Sequence, residues 1–143
     1  MRGTTADNST AAGEGAARPA GRPHILIVDD NPAVTRSLAR LLEEEGYRTS
    51  VCHNGTAAME TISRDSFAAA VVDIHLPDIS GLVLSTQIRA VLGPGRPIIV
   101  LSGDTSGETI GSLKYVGATY FISKPINSDH FMERLREMVG GVA

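Results

Sequence analysis

Four short runs, apolar or nearly so, constrain this chain more than any other feature: HILIV before Asp29, AAAVV before Asp73, IIVL before Ser102 and TYFIS before Lys124. A strand with one wet face alternates apolar and polar residues, whereas a continuous run of this length fits a strand buried on both faces, as in parallel sheets. Each run is too short for an ordinary helix, and each stops at a residue that carries chemistry. In a parallel sheet the run ends share one edge, where the loops form a crevice that holds ligands. Asp29 with Asp30, Asp73, Ser102 and Lys124 with Pro125 would therefore meet in one pocket, though they are far apart in sequence.

Between the runs the apolar period changes to that of a helix. Asn31 is a good N-cap, and Pro32 fits the first helical position, where no amide donor is needed. Val34, Leu38, Leu41 and Leu42 then mark a buried face, and Gly46 a C-terminal stop. The acidic run Glu43 to Glu45 falls at the end that the helix dipole disfavours. RTSVC reads as a second strand, and the helix after Asn54 and Gly55 is expected to bury Ala58, Met59 and Ile62. FAAAVV is the third strand, and beyond Pro77 the residues Leu84, Ile88 and Val91 mark a third helix. PIIVL is the fourth strand. A fourth helix is expected from near Thr105, with Glu108 as its capping-box partner. It carries Gly107 and Gly111, each costing about 1 kcal/mol against Ala, and should be the least stable helix. TYFI is the fifth strand. A last helix, capped near Asn127 or Ser128, is expected to bury Phe131, Leu135, Met138 and Val139 before Gly140 and Gly141 end it. Strand–helix units in series mean right-handed crossovers and a parallel sheet covered on both faces.

Composition narrows the function classes. Residues 1–23 are dominated by Ala, Gly, Thr and Ser and are expected to be a disordered tail, leaving residues 24–143 as one folded domain. A net charge of -3 with mixed signs, and no basic run, gives no nucleic-acid surface. No apolar stretch approaches the roughly 20 residues of a membrane helix, and no apolar run follows Arg2 as in a secretory signal. The single cysteine, Cys52, lies in the apolar run TSVC and is expected to be a buried, inert thiol. Together these favour a cytoplasmic setting.

Three carboxylates, a hydroxyl and an ammonium are what a divalent metal and a phosphoryl group need around them. Taken singly, each residue has a plainer reading. Asp30 could be a helix cap, Asp73 could open the turn ahead of Pro77, Ser102 and Asp104 could be caps, and Lys124 a solvated loop lysine. The functional reading rests on their standing at four strand ends together. His24, His53 and His130 match no ligand spacing and are expected to be surface or packing residues.

The strings DDNP, VVDIHLPDISG, LSGD and ISKP, each at a strand end and in that order, resemble the receiver domain of bacterial response regulators. The resemblance runs from His24 to about Val139. It implies an α/β, flavodoxin-like (βα)5 fold, with a five-stranded parallel sheet in the order 2-1-3-4-5 and helices on both faces. It implies that Asp73 is the phosphoacceptor, that Asp30 ligates Mg²⁺ directly and that Asp29 acts largely through a metal-bound water. The backbone carbonyl of His75 would be a further ligand. Lys124 would pair with a phosphoryl oxygen, Ser102 would hydrogen-bond the phosphoryl group, and the Lys124–Pro125 bond would be cis. Phe121 stands where the family commonly has a switch tyrosine, and lacks its hydroxyl. Leu76 stands where Met is most frequent, and Gly103 after Ser102 leaves water easy access. The His75 ring is expected to face solvent.

The implied function is a stand-alone phosphorylation switch, not an enzyme in the ordinary sense. Its phosphoryl donor would be a sensor histidine kinase or a histidine phosphotransfer protein, and its output a contact with a downstream protein target, shifted through Ser102 and Phe121. Alternatives are a phosphate shuttle or sink in a phosphorelay, and the receiver piece of a hybrid kinase or transcription factor. A phosphatase of the haloacid-dehalogenase type also uses an aspartyl phosphate, but wants its nucleophile after the first strand with a second Asp two residues on. Here Asp29 is followed by Asp30, Asn31 and Pro32, so the spacing fails. A flavodoxin-like electron carrier would need a Ser/Thr/Gly-rich phosphate loop after the first strand. The acidic pair that one transcription-factor subfamily places before the fifth strand is replaced by Ala118 and Thr119, so that subfamily's dimer is not expected.

Overall fold

In the computed structural model, which describes residues 21–103 and 120–139, the first apolar run forms β1 (His24–Val28), buried along its whole length. It leads into α1 (Pro32–Glu44), where Pro32 opens the helix and the Asn31 side chain accepts from the Ala33 amide. β2 (Arg48–Cys52) and α2 (Gly55–Arg64) follow, the latter capped by Asn54. β3 (Ala69–Asp73) and α3 (Gly81–Leu92) come next. β4 (Ile98–Ser102), β5 (Tyr120–Ser123) and α4 (Ser128–Val139) complete the described elements. The expected helix from Thr105, with Gly107 and Gly111, and the Gly140–Gly141 stop lie outside the described residues, as does the tail up to residue 20. Pro23, read as the tail's last residue, already joins the domain: its carbonyl accepts from the Arg48 amide at 2.9 Å.

All strand pairs are parallel, and the order across the sheet is β2-β1-β3-β4-β5, the 2-1-3-4-5 order expected. Successive side chains of a strand point to opposite faces, so each buried strand feeds two cores. Leu26, Val28, Ala70, Val72, Ile98 and Val100 pack under α2 and α3 with Ala58, Ile62, Leu84 and Ile88. Ile25, Ile27, Val71, Ile99 and Leu101 pack under α1 and α4 with Leu38, Leu42, Phe131 and Leu135. Cys52 is buried in the first of these cores and His24 is buried over Phe67, as packing residues.

One helix reading and one strand boundary need correction. Val91 does not face the core but is half exposed, and Leu92 takes its place. The buried stripe of α3 runs through Gly81, Leu84, Ser85, Ile88 and Leu92, and Val91 trails Leu92 by about 100° around the helix. FAAAVV is apolar from Phe67, yet β3 begins at Ala69; Phe67 is buried in the loop ahead of it. The acidic end of α1 is offset by partners: Glu43 accepts from the Thr49 hydroxyl at 2.6 Å, and Glu45 pairs with Arg136 of α4.

Candidate functional site

The four run ends do meet. β1, β3 and β4 are neighbours in register, with Val28 beside Val72 and Asp73 beside Leu101. Ser102 pairs with Ser123 at the end of β5, and the Lys124 amide donates to the Ser102 carbonyl at 2.8 Å. Beyond the last strand pairs, the Ile74 amide donates to the Leu101 carbonyl at 3.0 Å and the Asp29 amide to the Cys52 carbonyl at 3.1 Å. The ladder thus continues one step past the strands and fixes the backbone that carries the acidic residues.

Asp29, Asp73 and Ser102 are buried, Lys124 is half-buried, and Asp30 is exposed. Lys124 Nζ donates to Asp29 Oδ2 at 2.9 Å and lies 3.4 Å from Asp73 Oδ1. Asp29 Oδ1 accepts from the Asn31 amide at 3.0 Å. Each oxygen of Asp29 therefore already has a donor. One oxygen from each of Asp29, Asp30 and Asp73 lies within 4.8 Å of the others. Opposite ligands on Mg²⁺ stand about 4.2 Å apart, twice an Mg–O distance of about 2.1 Å. The three carboxylates are gathered on that scale, and their all-oxygen donor set is the one Mg²⁺ prefers.

Electrostatics follows from this crowding. Burial, then the charge of Asp29, pushes the Asp73 carboxyl above the ordinary carboxylate range, against the opposing pull of Lys124 and the His75 amide. Burial alone would lower Lys124; the hydrogen bond and charge of Asp29, then those of Asp73, outweigh it and hold the ammonium up. Lys124 is thus a fixed cation between two anions.

The remaining expected positions fall as follows. His75 is exposed and pairs across the β3–α3 loop with Ser80. The Lys124–Pro125 peptide is cis. Phe121 is half-buried against the core under α2 and α3, opposite Val100. Two residues inside the string VVDIHLPDISG were not singled out from sequence. Gly81 starts α3 so close to β3 that an added Cβ would stand 2.0 Å from the Asp73 carbonyl oxygen. Asp78 reaches the N-terminus of α2, accepting from the Gly55 amide at 2.8 Å and from the Thr56 amide and hydroxyl at 3.0 and 2.9 Å.

An acidic cluster and a lysine on the carboxyl edge of a 2-1-3-4-5 sheet define a receiver-type site. Residues 25–136 match the response regulator receiver domain, and the chain belongs to that family. Response regulator MprA of Mycobacterium ulcerans is 35% identical over 116 residues, 80% of this chain and 49% of that protein. The chain spans about half or less of the length of the curated relatives it matches. A CheY-like receiver domain protein of Methanospirillum hungatei superposes with a TM-score of 0.79 at 32% identity, over 84% of this chain and 95% of the other. A Burkholderia pseudomallei response regulator, solved with a phosphorylated aspartic acid, calcium and citrate, superposes at 0.75 with 30% identity, over 82% and 69%. No helix among the described residues is long and apolar enough to cross a membrane.

Proposed function

We propose that this chain is a phosphorylation switch of two-component signalling that accepts a phosphoryl group on Asp73. The donor is a histidine kinase or a histidine phosphotransfer protein, and the setting is the cytoplasm. The observation that carries the reading is the place of Lys124 Nζ, bonded to Asp29 and 3.4 Å from Asp73 while Asp30 stands free of it at the rim. Asp29 serves to hold the lysine. Asp30, exposed and with an oxygen in the cluster with Asp73, is the carboxylate best placed to ligate a metal directly. The His75 carbonyl, two residues past Asp73, is the further ligand.

Mg²⁺, when bound by Asp30, Asp73 and the His75 carbonyl, supplies charge that offsets the phosphoryl oxygens. An oxygen of Asp73 attacks phosphorus, the phosphorus–nitrogen bond of the donor breaks, and its electron pair leaves with the imidazole. The product is an acyl phosphate on Asp73. Lys124 pairs with a phosphoryl oxygen as charge spreads over the group. Ser102, at the end of β4, hydrogen-bonds the bound phosphoryl group, and Phe121 on β5 follows its movement. The receiver domain gives its output by contact with another protein, and the tail before it takes no part in the chemistry.

The test is mass spectrometry after incubation with a small acyl phosphate and Mg²⁺. Wild type should gain one phosphoryl mass, lost on treatment with hydroxylamine, and Asp73→Asn should gain none. Equal labelling of the two would overturn the assignment.

A further inference from the structure

The loop between β3 and α3 is pinned at its base. His75 pairs with Ser80, and the Gly81 amide donates to the Ile74 carbonyl at 2.7 Å. Its tip, Leu76 to Ile79, projects beyond this neck toward α2. There Asp78 accepts three hydrogen bonds from Gly55 and Thr56, and Ile79 lies over Gly55 so closely that a Cβ at Gly55 would meet Ile79 Cγ2 at 2.2 Å. The contact is therefore polar and steric at once, between residues 23 positions apart.

The helix has its own cap, since the Asn54 side chain accepts from the Ala57 amide at 2.8 Å. Asp78 takes the next two free amides, at the positive end of the helix dipole. Those amides hold the Asp78 carboxyl below its ordinary range. An anion at this point gains from the helix, and in return the helix fixes the loop. His75 stands in the neck itself, directly before the tip, and its carbonyl is the one the receiver reading makes a metal ligand.

We propose that Asp78 is a positioning residue for phosphoryl transfer: by tying the loop tip to the N-terminus of α2, it holds the His75 carbonyl in place for the metal. The inference rests on the receiver reading of the site. Partners that orient a metal ligand without touching the metal typically change affinity by about 10–100-fold. Because Asp78 acts on a backbone carbonyl through two intervening residues, Leu76 and Pro77, the lower end applies.

The experiment compares wild type with Asp78→Ala, Asp78→Asn and Asn54→Ala. Mg²⁺ affinity is read by calorimetry, the rate of Asp73 labelling by a small acyl phosphate at low temperature, and the thermal midpoint separately. Asp78→Ala should weaken Mg²⁺ binding roughly tenfold and slow labelling most at limiting Mg²⁺, with saturating Mg²⁺ restoring the rate. Asp78→Asn keeps one acceptor oxygen and should fall between. Asn54→Ala, which removes the helix's own cap, should lower the midpoint and leave Mg²⁺ affinity alone. An Asp78→Ala protein that melts lower but binds Mg²⁺ and labels like wild type would overturn the inference, leaving Asp78 a helix cap. Wild type that takes no phosphoryl group would instead overturn the receiver reading, and this inference with it.

Discussion

Gly81→Ala tests whether the phosphoacceptor strand and α3 touch as closely as the backbone implies. The new Cβ would stand 2.0 Å from the Asp73 carbonyl oxygen, 2.6 Å from Ile74 Cα and 2.8 Å from the Asp73 carbonyl carbon. All three are backbone atoms, so no side chain can swing away. Ordinary contact begins near 3.4 Å, so the helix start and the strand end must part by about 1.4 Å, the difference between 3.4 and 2.0 Å. That motion breaks the 2.7 Å hydrogen bond from the Gly81 amide to the Ile74 carbonyl, worth about 1 kcal/mol. It also strains α3, whose Leu84, Ser85 and Ile88 are fully buried, and overpacking of this kind costs about 1–3 kcal/mol. The sum is about 2–4 kcal/mol, or roughly 10 °C in midpoint for a domain of this size. Thermal and denaturant unfolding would measure it, with Gly103→Ala as reference, since a Cβ there meets nothing within 4 Å. Because the strain falls on the peptide that follows Asp73, labelling by a small acyl phosphate should slow even well below the midpoint. A Gly81→Ala protein within about 0.5 kcal/mol of wild type, the range of an ordinary surface change, would refute the close approach.

Two further outcomes follow from the charges. Since burial and Asp29 raise the Asp73 carboxyl, its ionised form costs stability, and Asp73→Asn should stabilise the Mg²⁺-free protein at neutral pH. The sign fixes the pH window: the cost is absent below the unfolded carboxyl's value of about 4 and grows as pH rises through the raised folded value, so the two melting curves should converge in acid. Equal midpoints at pH 7 would mean that Lys124 already cancels the repulsion. For the metal, Asp30→Ala should weaken Mg²⁺ binding more than Asp29→Ala, because the oxygens of Asp29 are taken by Lys124 and the Asn31 amide. Calorimetric titration that finds Asp30→Ala equal to wild type would show the pocket to be wrongly assembled.

What was legible in the sequence and what was not differ in physical kind. Strand ends were legible because burial on both faces writes a continuous apolar run, and a run has an end that can be read locally. Asp29, Asp73, Ser102 and Lys124 came together on that signal, and Asn31 with Pro32 and Asn54 announced two helix starts by cap chemistry alone. Strand order was not local; it entered through the family resemblance. Val91 was misread because Leu84, Ile88 and Val91 satisfy helical spacing as well as Leu84, Ile88 and Leu92 do, and only the flanking Gly81 and Ser85 shift the stripe toward Leu92. Gly81 and Asp78 were invisible for a different reason. Their roles lie in pair distances, Gly81 against the Asp73 carbonyl and Asp78 against an amide 23 residues away. A glycine at the start of a helix and an aspartate after a proline each have a sufficient local explanation at a turn, so nothing in the string demands the longer-range one. The consequence for the site is general to its design. The residues that do chemistry stand at run ends, where sequence announces them. Those that set its geometry stand in the connecting loop, and their pairing has to be seen in three dimensions.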